Sequence, residues 1–269
     1  LLKLKDRTAV VTGAASGIGQ AIALALSRRG CHLALADIDE AGMAKTVVQT
    51  AAHGVRVSQH RLDVSDAGAI AGFPDRVAAE HGSADLLVNN AGVALGGTFE
   101  QIAESDFEWL FAINFWGVVR MTRAFLPLLR RSEQAHIVNI SSLYGLIAPP
   151  GQTAYAASKF AVRGFSISLR HELEGTGIGV TVVHPGGVAT SIAKNARLSK
   201  GIPSEEAARR LRMVETLLTM PPGTAGEIIV KGVERRKGRI LVGTDAKIAS
   251  IVERLFPVSY WKLIGQKRT

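Results

Sequence analysis

The chain has 269 residues, nearly half of them apolar and a fifth charged, which suffices for one large α/β domain and excludes a disordered, collagen-like or disulfide-scaffold chain. No run reaches the roughly 18 apolar residues of a membrane span. Leu1-Leu2-Lys3-Leu4-Lys5 reads as too short and too charged for a secretory signal, and Cys31 has no second cysteine to pair with, so a cytoplasmic, reducing compartment is expected. The formal charge of +9 is unevenly placed: residues 1–193 carry 16 basic and 16 acidic side chains, residues 194–269 carry 16 and 7. The excess is scattered over Arg209, Arg210, Arg212, Arg235, Arg236, Lys237, Arg239 and others. It fits either a solvated surface or a face for an anionic partner. No nucleic acid is expected.

In chain order, short apolar runs predict strands over Thr8–Thr12, His32–Asp37, Val55–His60, Asp85–Val88, Ala135–Ile140, Gly179–His184 and Arg239–Val242. Several lack alternation, as strands do when helices cover both faces of a parallel sheet. Longer helical patterns separate them, among them Gly17–Arg29, Ala67–Glu80, Ser105–Leu129 and Ala154–Gly175. Repeated β-α-β order predicts a Rossmann-type, doubly wound parallel sheet of seven strands with helices on both faces, in a single domain over residues 1–269.

Two parts stand outside this rhythm. An insertion at about 190–222 predicts a helix from Ser204 to Thr219, ended by Pro221-Pro222. In the basic C-terminal extension, about 245–269, Ile248, Ile251, Val252, Leu255 and Phe256 form an apolar helical stripe, followed by Tyr260-Trp261-Lys262-Leu263-Ile264. Such a stripe serves core or subunit packing, or else peripheral membrane contact.

The first strand runs into Thr12-Gly13-Ala14-Ala15-Ser16-Gly17-Ile18-Gly19, where a helix begins. Glycines there permit a tight turn and close approach of backbone to a pyrophosphate, and the helix N-terminus offers free N–H groups to it. Gly13, Ser16, Gly17, Ile18 and Gly19 are therefore candidate cofactor contacts. Asp37 closes the second strand 18 residues beyond Gly19, placed to accept hydrogen bonds from ribose hydroxyls. Its charge would repel a 2′-phosphate and no basic residue follows it directly, so NAD is expected rather than NADP. Further on, Tyr155 and Lys159 stand four apart on one helical face. A phenol titrating near 10 is a poor base at neutral pH, and an adjacent ammonium together with an oxidised nicotinamide would bring it down.

The spacing Gly-x-x-x-Gly-x-Gly, with Tyr155-Ala156-Ala157-Ser158-Lys159, resembles the short-chain dehydrogenase/reductase family, over about residues 6–190. The resemblance implies an adenine contact at Asp63-Val64, and a sheet-stabilising, cofactor-lining segment at Asn89-Asn90-Ala91-Gly92. It also implies a nicotinamide-holding segment at Pro185-Gly186-Gly187-Val188-Ala189-Thr190. Ser142, 13 residues before Tyr155, matches the family's catalytic serine, with Ser141 the less suitable neighbour by register. Asn114, an amide inside an apolar helix, matches the Asn that positions a water beside the lysine. A homodimer or homotetramer packed through Ser105–Leu129 and Ala154–Gly175 is implied as well.

Val93, Leu95, Leu143, Tyr144 and Gln152, with Leu146–Pro150, are expected at the substrate pocket. Their mainly apolar character predicts an NAD-dependent oxidoreductase that interconverts a hydrophobic secondary alcohol and its ketone. Arg197, Lys200 and Arg212 are the residues of the insertion that would meet an anionic group such as coenzyme A. Two rival classes exist. A non-catalytic NAD-binding regulator would be expected to lack part of the Asn114, Ser142, Tyr155, Lys159 set, and a ketoacyl thioester reductase resembles NADP users, against Asp37. The spacing of Tyr155 and Lys159 counts against an enoyl reductase. His32, His60, His171 and His184 lack metal-ligand spacing and read as structural; no metal is expected.

Overall fold

Why seven parallel strands form here is visible in β1 (Thr8–Thr12), whose five residues are all buried. Ala9 and Val11 face one hydrophobic core while Val10 faces the other, so an apolar run without alternation satisfies both sheet faces. The structure, a computed structural model, describes residues 1–192, 195–198 and 216–265.

After β1 come α1 (Gly17–Ser27), β2 (His32–Asp37), α2 (Glu40–Ala51), β3 (Val57–Arg61), α3 (Ala67–Ala71), α4 (Phe73–His81) and β4 (Leu86–Asn89). The second half runs β5 (Leu95–Gly96), α5 (Glu104–Phe111), α6 (Gly117–Leu129), β6 (His136–Ile140), α7 (Thr153–Glu172), β7 (Gly179–Pro185) and β8 (Arg197–Leu198). It ends with α8 (Pro222–Glu234), β9 (Arg239–Val242), α9 (Thr244–Leu255) and α10 (Tyr260–Ile264). The main sheet has the order β3-β2-β1-β4-β6-β7-β9, every pair parallel. Strand order therefore reverses between β1 and β4, and a crevice opens beyond their carboxyl ends. One core joins α1, α2 and α8 to the sheet through Ile22, Leu26, Leu35, Met43, Ile229 and Val233. The other holds Phe73, Phe125, Leu129, Ile137 and Val180 beneath α4, α6 and α7. Each fully buried aliphatic or aromatic side chain contributes about 1.5–3 kcal/mol.

The seven predicted strands are present, three with the expected bounds and four with ends displaced by one or two residues. The helix expected over Ala67–Glu80 is two helices, α3 and α4, broken at Gly72. Pro74 in the first turn of α4 has no N–H and its ring excludes a carbonyl four residues back. The stretch expected as one helix over Ser105–Leu129 widens to a π-helical turn at Ala112–Trp116, between α5 and α6. Residues 204–215 of the helix expected in the insertion lie outside the described residues. The insertion also contributes β8, which pairs with β5 in a small parallel sheet (Leu95↔Arg197, Gly96↔Leu198). Strands of two residues are too short to leave a periodic signal.

Buried polar groups pin the sheet to its helices. Asn89 Nδ2 donates to Thr122 Oγ1 (3.2 Å) and Asn139 Oδ1 (2.8 Å), and Asn139 Nδ2 donates to Ser166 Oγ on α7 (2.9 Å). His136 Nε2 pairs with Thr181 Oγ1 at 2.7 Å, and His60 and His81 share Ser58 Oγ at 2.7 and 2.8 Å. His32 Nδ1 accepts from the Arg56 N–H, whereas His171 is exposed at the end of α7. Burial pushes His81 and His184 down to about 4 and His136 to about 3. Above pH 6.5 these rings are neutral in both folded and unfolded chains. As pH falls from 6.5 towards 4, the unfolded chain takes up protons that the folded one refuses, and stability falls. Urea unfolding should show this loss, up to about 1.4 kcal/mol per pH unit for each such histidine. His136→Gln should make the acid limb shallower; an identical slope in that variant would contradict the assignment.

Candidate active site

The turn after β1 has no room for side chains. Gly13 has φ +66°, and a Cβ there would stand 2.7 Å from Asn90 Nδ2 and 2.8 Å from the Ala91 Cα. A Cβ on Gly19 would run into the Gly13 carbonyl and Asn90 Nδ2. Gly17, with φ +58°, lies against Thr190, where a Cβ would meet the methyl at 3.1 Å. The turn is tied to the loop after β4: Asn90 Nδ2 donates to the carbonyls of Thr12 (3.0 Å) and Gly13 (3.1 Å). Thr12 Oγ1 donates to Val88 O (3.3 Å) and accepts from the N–H groups of Asn90 (3.0 Å) and Ala91 (3.1 Å). Ser16 is the N-cap of α1 in extended conformation and makes no side-chain capping bond, which leaves its hydroxyl and the helix's first N–H groups directed at an incoming anion.

Asp37 Oδ2 accepts from Ala15 N (2.9 Å) and Oδ1 from Asp39 N (3.0 Å). Each oxygen keeps a lone pair for a ribose hydroxyl. Asp63 is exposed and Oδ1 accepts from the backbone N–H and hydroxyl of Ser65, while Val64 is buried against Gly117. Beyond β7, Gly186 N donates to Val242 O (2.9 Å) and Gly187 N to Asp245 Oδ2 (2.7 Å). Val188 is sealed in the core, Thr190 N donates to Val188 O (2.9 Å), and Pro185 ends the strand. The glycine cradle, the uncapped α1 and a carboxylate at the end of β2 together fit a dinucleotide.

On the other side of the crevice, Tyr155 and Lys159 share one face of α7. Tyr155 is half-buried beside Ser142; burial outweighs the lowering influence of the Ser142 hydroxyl and pushes the phenol up to about 12. Lys159 is buried and pushed down to about 8 by desolvation. Its Nζ lies 5.7 Å from the Tyr155 ring centroid and donates to Ile140 O (3.2 Å). In the protein by itself the lowering of the phenol expected from Lys159 does not appear: desolvation is the largest influence on the hydroxyl and raises it. Ser142 Oγ accepts from Tyr144 N (3.1 Å) in the 3-10 turn Leu143–Gly145. Ser141 turns away, its Oγ donating to Lys159 O (2.8 Å), which separates the two serines as their register predicts.

Asn114 sits in the π-helical turn and is fully buried. Its Oδ1 accepts from Val93 N (2.8 Å), and Nδ2 donates to Val93 O (3.0 Å) and Ser158 Oγ (3.2 Å). A Cβ on Gly92 would lie 3.2 Å from Asn114 Oδ1 and 3.4 Å from Lys159 Nζ. The missing side chain leaves space between the two groups, where a water has polar partners.

Val93, Leu143, Tyr144 and Gln152 are half-buried around Tyr155, with Tyr144 edge-on to it at 6.1 Å. Leu95 departs from expectation: it is sealed with Leu110 and Ala154 and packs beneath the pocket wall. Arg197 lies over the Trp109 ring, 3.8 Å from its centroid, and pairs with Asp106 at 2.7 Å, so its charge is neutralised; Lys200 and Arg212 lie outside the described residues. Two contributors escaped sequence reasoning. His184 Nδ1 donates to Ser142 O (2.9 Å), the tautomer that a carbonyl partner requires, and its only signal is its place directly before Pro185. Asp245, which holds Gly187, has no sequence signal that separates it from a surface aspartate.

The model of the short chain dehydrogenase family matches residues 7–201. The oxidoreductase SadH of Mycobacterium tuberculosis is 43% identical over 267 residues, covering 97% of this chain and 95% of that protein. The D-beta-hydroxybutyrate dehydrogenase of Cupriavidus necator is 34% identical over 212 residues, covering 77% and 82%. A solved short-chain dehydrogenase/reductase from Burkholderia phymatum, in complex with NAD, superposes with a TM-score of 0.88 at 29% identity, covering 100% of this chain and 98% of that one.

Gly19→Ala should leave a folded protein by circular dichroism while weakening dinucleotide binding by about tenfold or more, since the loop must open to admit the methyl. Calorimetric titration giving the unaltered affinity would refute the cradle.

Proposed function

The chain belongs to the short-chain dehydrogenase/reductase family and is an oxidoreductase acting on alcohol groups, and we propose that it interconverts a hydrophobic secondary alcohol and its ketone with NAD. The observation that carries this reading is Tyr155 and Lys159 on one face of α7, with Lys159 Nζ 5.7 Å from the Tyr155 ring centroid and the glycine cradle across the crevice. The dinucleotide would be held by Gly13, Ser16, Gly17, Ile18 and Gly19 at the phosphates and by Asp37, Asp63 and Val64 at the adenosine. Asn90, Ala91, Gly92, Tyr155, Lys159, Pro185, Gly186, Val188 and Thr190 would line its nicotinamide half. When bound, it supplies the acceptor or donor of a hydride.

The chain's own residues manage the proton and the oxygen. Ser142 Oγ and Tyr155 Oη would hold the substrate oxygen between them, where charge develops. In reduction, Tyr155 begins protonated, as burial dictates, and gives its proton to the carbonyl oxygen. In oxidation it takes the alcohol's proton, and positive charge nearby stabilises the phenolate that carries it. Lys159 replaces the proton from the side of Asn114, through the space that Gly92 leaves open. The support for an apolar substrate is local: Val93, Leu143 and Tyr144 form the rim, and the one described cation of the insertion, Arg197, is already paired with Asp106. Subunit packing in a homodimer or homotetramer is assigned to the faces of α7 and of α6 with the π-helical turn before it, where Phe160 and Trp116 are exposed.

Tyr155→Phe should lower kcat by about 10³-fold or more, while NAD binding stays within a few fold. Near-normal turnover by absorbance at 340 nm would overturn the role of Tyr155. Exposed Ile38 follows Asp37; the double variant Asp37→Ser, Ile38→Arg should shift the kcat/KM preference towards NADP by about a hundredfold, from lost repulsion and an added phosphate partner. An unmoved preference would remove Asp37 from the cofactor site.

A further inference from the structure

We propose that residues 244–265 form a membrane-contact surface that seats the protein on an anionic lipid bilayer beside the substrate rim. The pattern of α9 is inverted relative to an ordinary surface helix. Ala246, Ala249 and Ser250 are its buried residues, whereas Ile248, Ile251 and Leu255 are 52%, 60% and 66% exposed. Phe256, Val258 and Leu263 continue the apolar surface through and beyond Pro257. Of the twelve exposed large apolar side chains among the described residues, six lie within residues 248–263. Isolated apolar residues are normal on a surface; a contiguous set at one place marks a contact.

The charge around this surface identifies the occupant. Exposed Lys247, Arg254 and Lys262 border it. Of the two acids in residues 244–269, Asp245 is turned inward to Gly187 N and Glu253 is half-buried. The sequence adds Lys267 and Arg268 at its end. An apolar strip with a cationic border and interfacial aromatics, Tyr260 and Trp261, complements anionic headgroups over acyl chains. A second copy fits less well, because isologous pairing sets the same basic border against itself. No helix among the described residues is long and apolar enough to cross a membrane, and at 12 residues α9 would lie in the interface plane.

This surface is physically joined to the active site. Tyr260 Oη accepts from the Ala148 N–H at 3.0 Å, in the loop that follows the Ser142 turn. Asp245 on the same α9 holds Gly187. A bilayer against residues 248–263 therefore lies next to the pocket rim, and an apolar alcohol would enter from the lipid; that last step rests on the function proposed above, whereas membrane contact itself does not.

Flotation of the full chain tests it, with vesicles of phosphatidylcholine alone or mixed with phosphatidylglycerol, and with NAD binding and light-scattering mass followed in parallel. The protein should float with the mixed vesicles, and high salt should release it. Ile251→Glu with Leu255→Glu should cut binding about tenfold or more, with NAD affinity and mass unchanged. Lys247→Glu with Lys262→Glu should do the same without touching an apolar residue. Absence of flotation, equal flotation on both vesicles regardless of salt, or a fall in molecular mass of the Glu variants, which would mark a subunit interface, each overturns the proposal.

Discussion

Where β1 and β4 end, Thr12 and Asn90 hold one another, and every other part of the crevice is set out from that contact. The Thr12 hydroxyl uses one donor and two acceptor sites, and the Asn90 amide spends both of its protons on the carbonyls of the glycine turn. These bonds cost nothing in reorganisation when a ligand arrives, because buried polar groups of this kind are satisfied within the protein. They also fix the distance between the two strands' loops at the point where the sheet changes winding direction. Without glycine at positions 13 and 19 the two loops would collide, so the conformational freedom lost on folding is the condition of the site's shape.

The catalytic helix is located against that frame by contacts that do not themselves touch substrate. Ser141 binds the Lys159 carbonyl, Asn114 binds Ser158, Arg163 binds the Gly145 carbonyl at 3.2 Å, and the Asn139–Ser166 bond ties α7 to the sheet. Tyr155 and Lys159 thus project from a rod held along much of its length. The electrostatic result is a resting pair in which the phenol is protonated and the ammonium only moderately stable, both displaced from their ordinary ranges by burial. Neighbouring groups displaced in opposite directions suit proton transfer in either sense.

Much of this was legible in the residues themselves. The strands that lack alternation announced a sheet covered on both faces, and the turn from Thr12 to Gly19, Asp37, and the Tyr155–Lys159 spacing sit at the sheet edge as their order required. What stayed hidden depends on contacts between distant segments. Gly72 and Pro74 break a helix that periodicity alone joins, because two residues weigh little in an apolar count but decide the backbone. Leu95 reads as pocket-lining from its position after Gly92, yet pairing with Arg197 rotates it into a small core. His184 and Asp245 act through a carbonyl and an N–H of other loops, and a backbone partner leaves no mark in the sequence.

The short strand β5 couples two things that are usually separate. Val93 is fastened at both its N–H and its carbonyl to Asn114, and the next three residues carry the Ala94 carbonyl bonded to Arg197 N and the β5–β8 pairing. One end of this ribbon is therefore fastened to Asn114 and the other to Arg197–Leu198. A displacement of Arg197–Leu198 is therefore carried along the main chain to the backbone that Asn114 grips, and the two cannot shift independently.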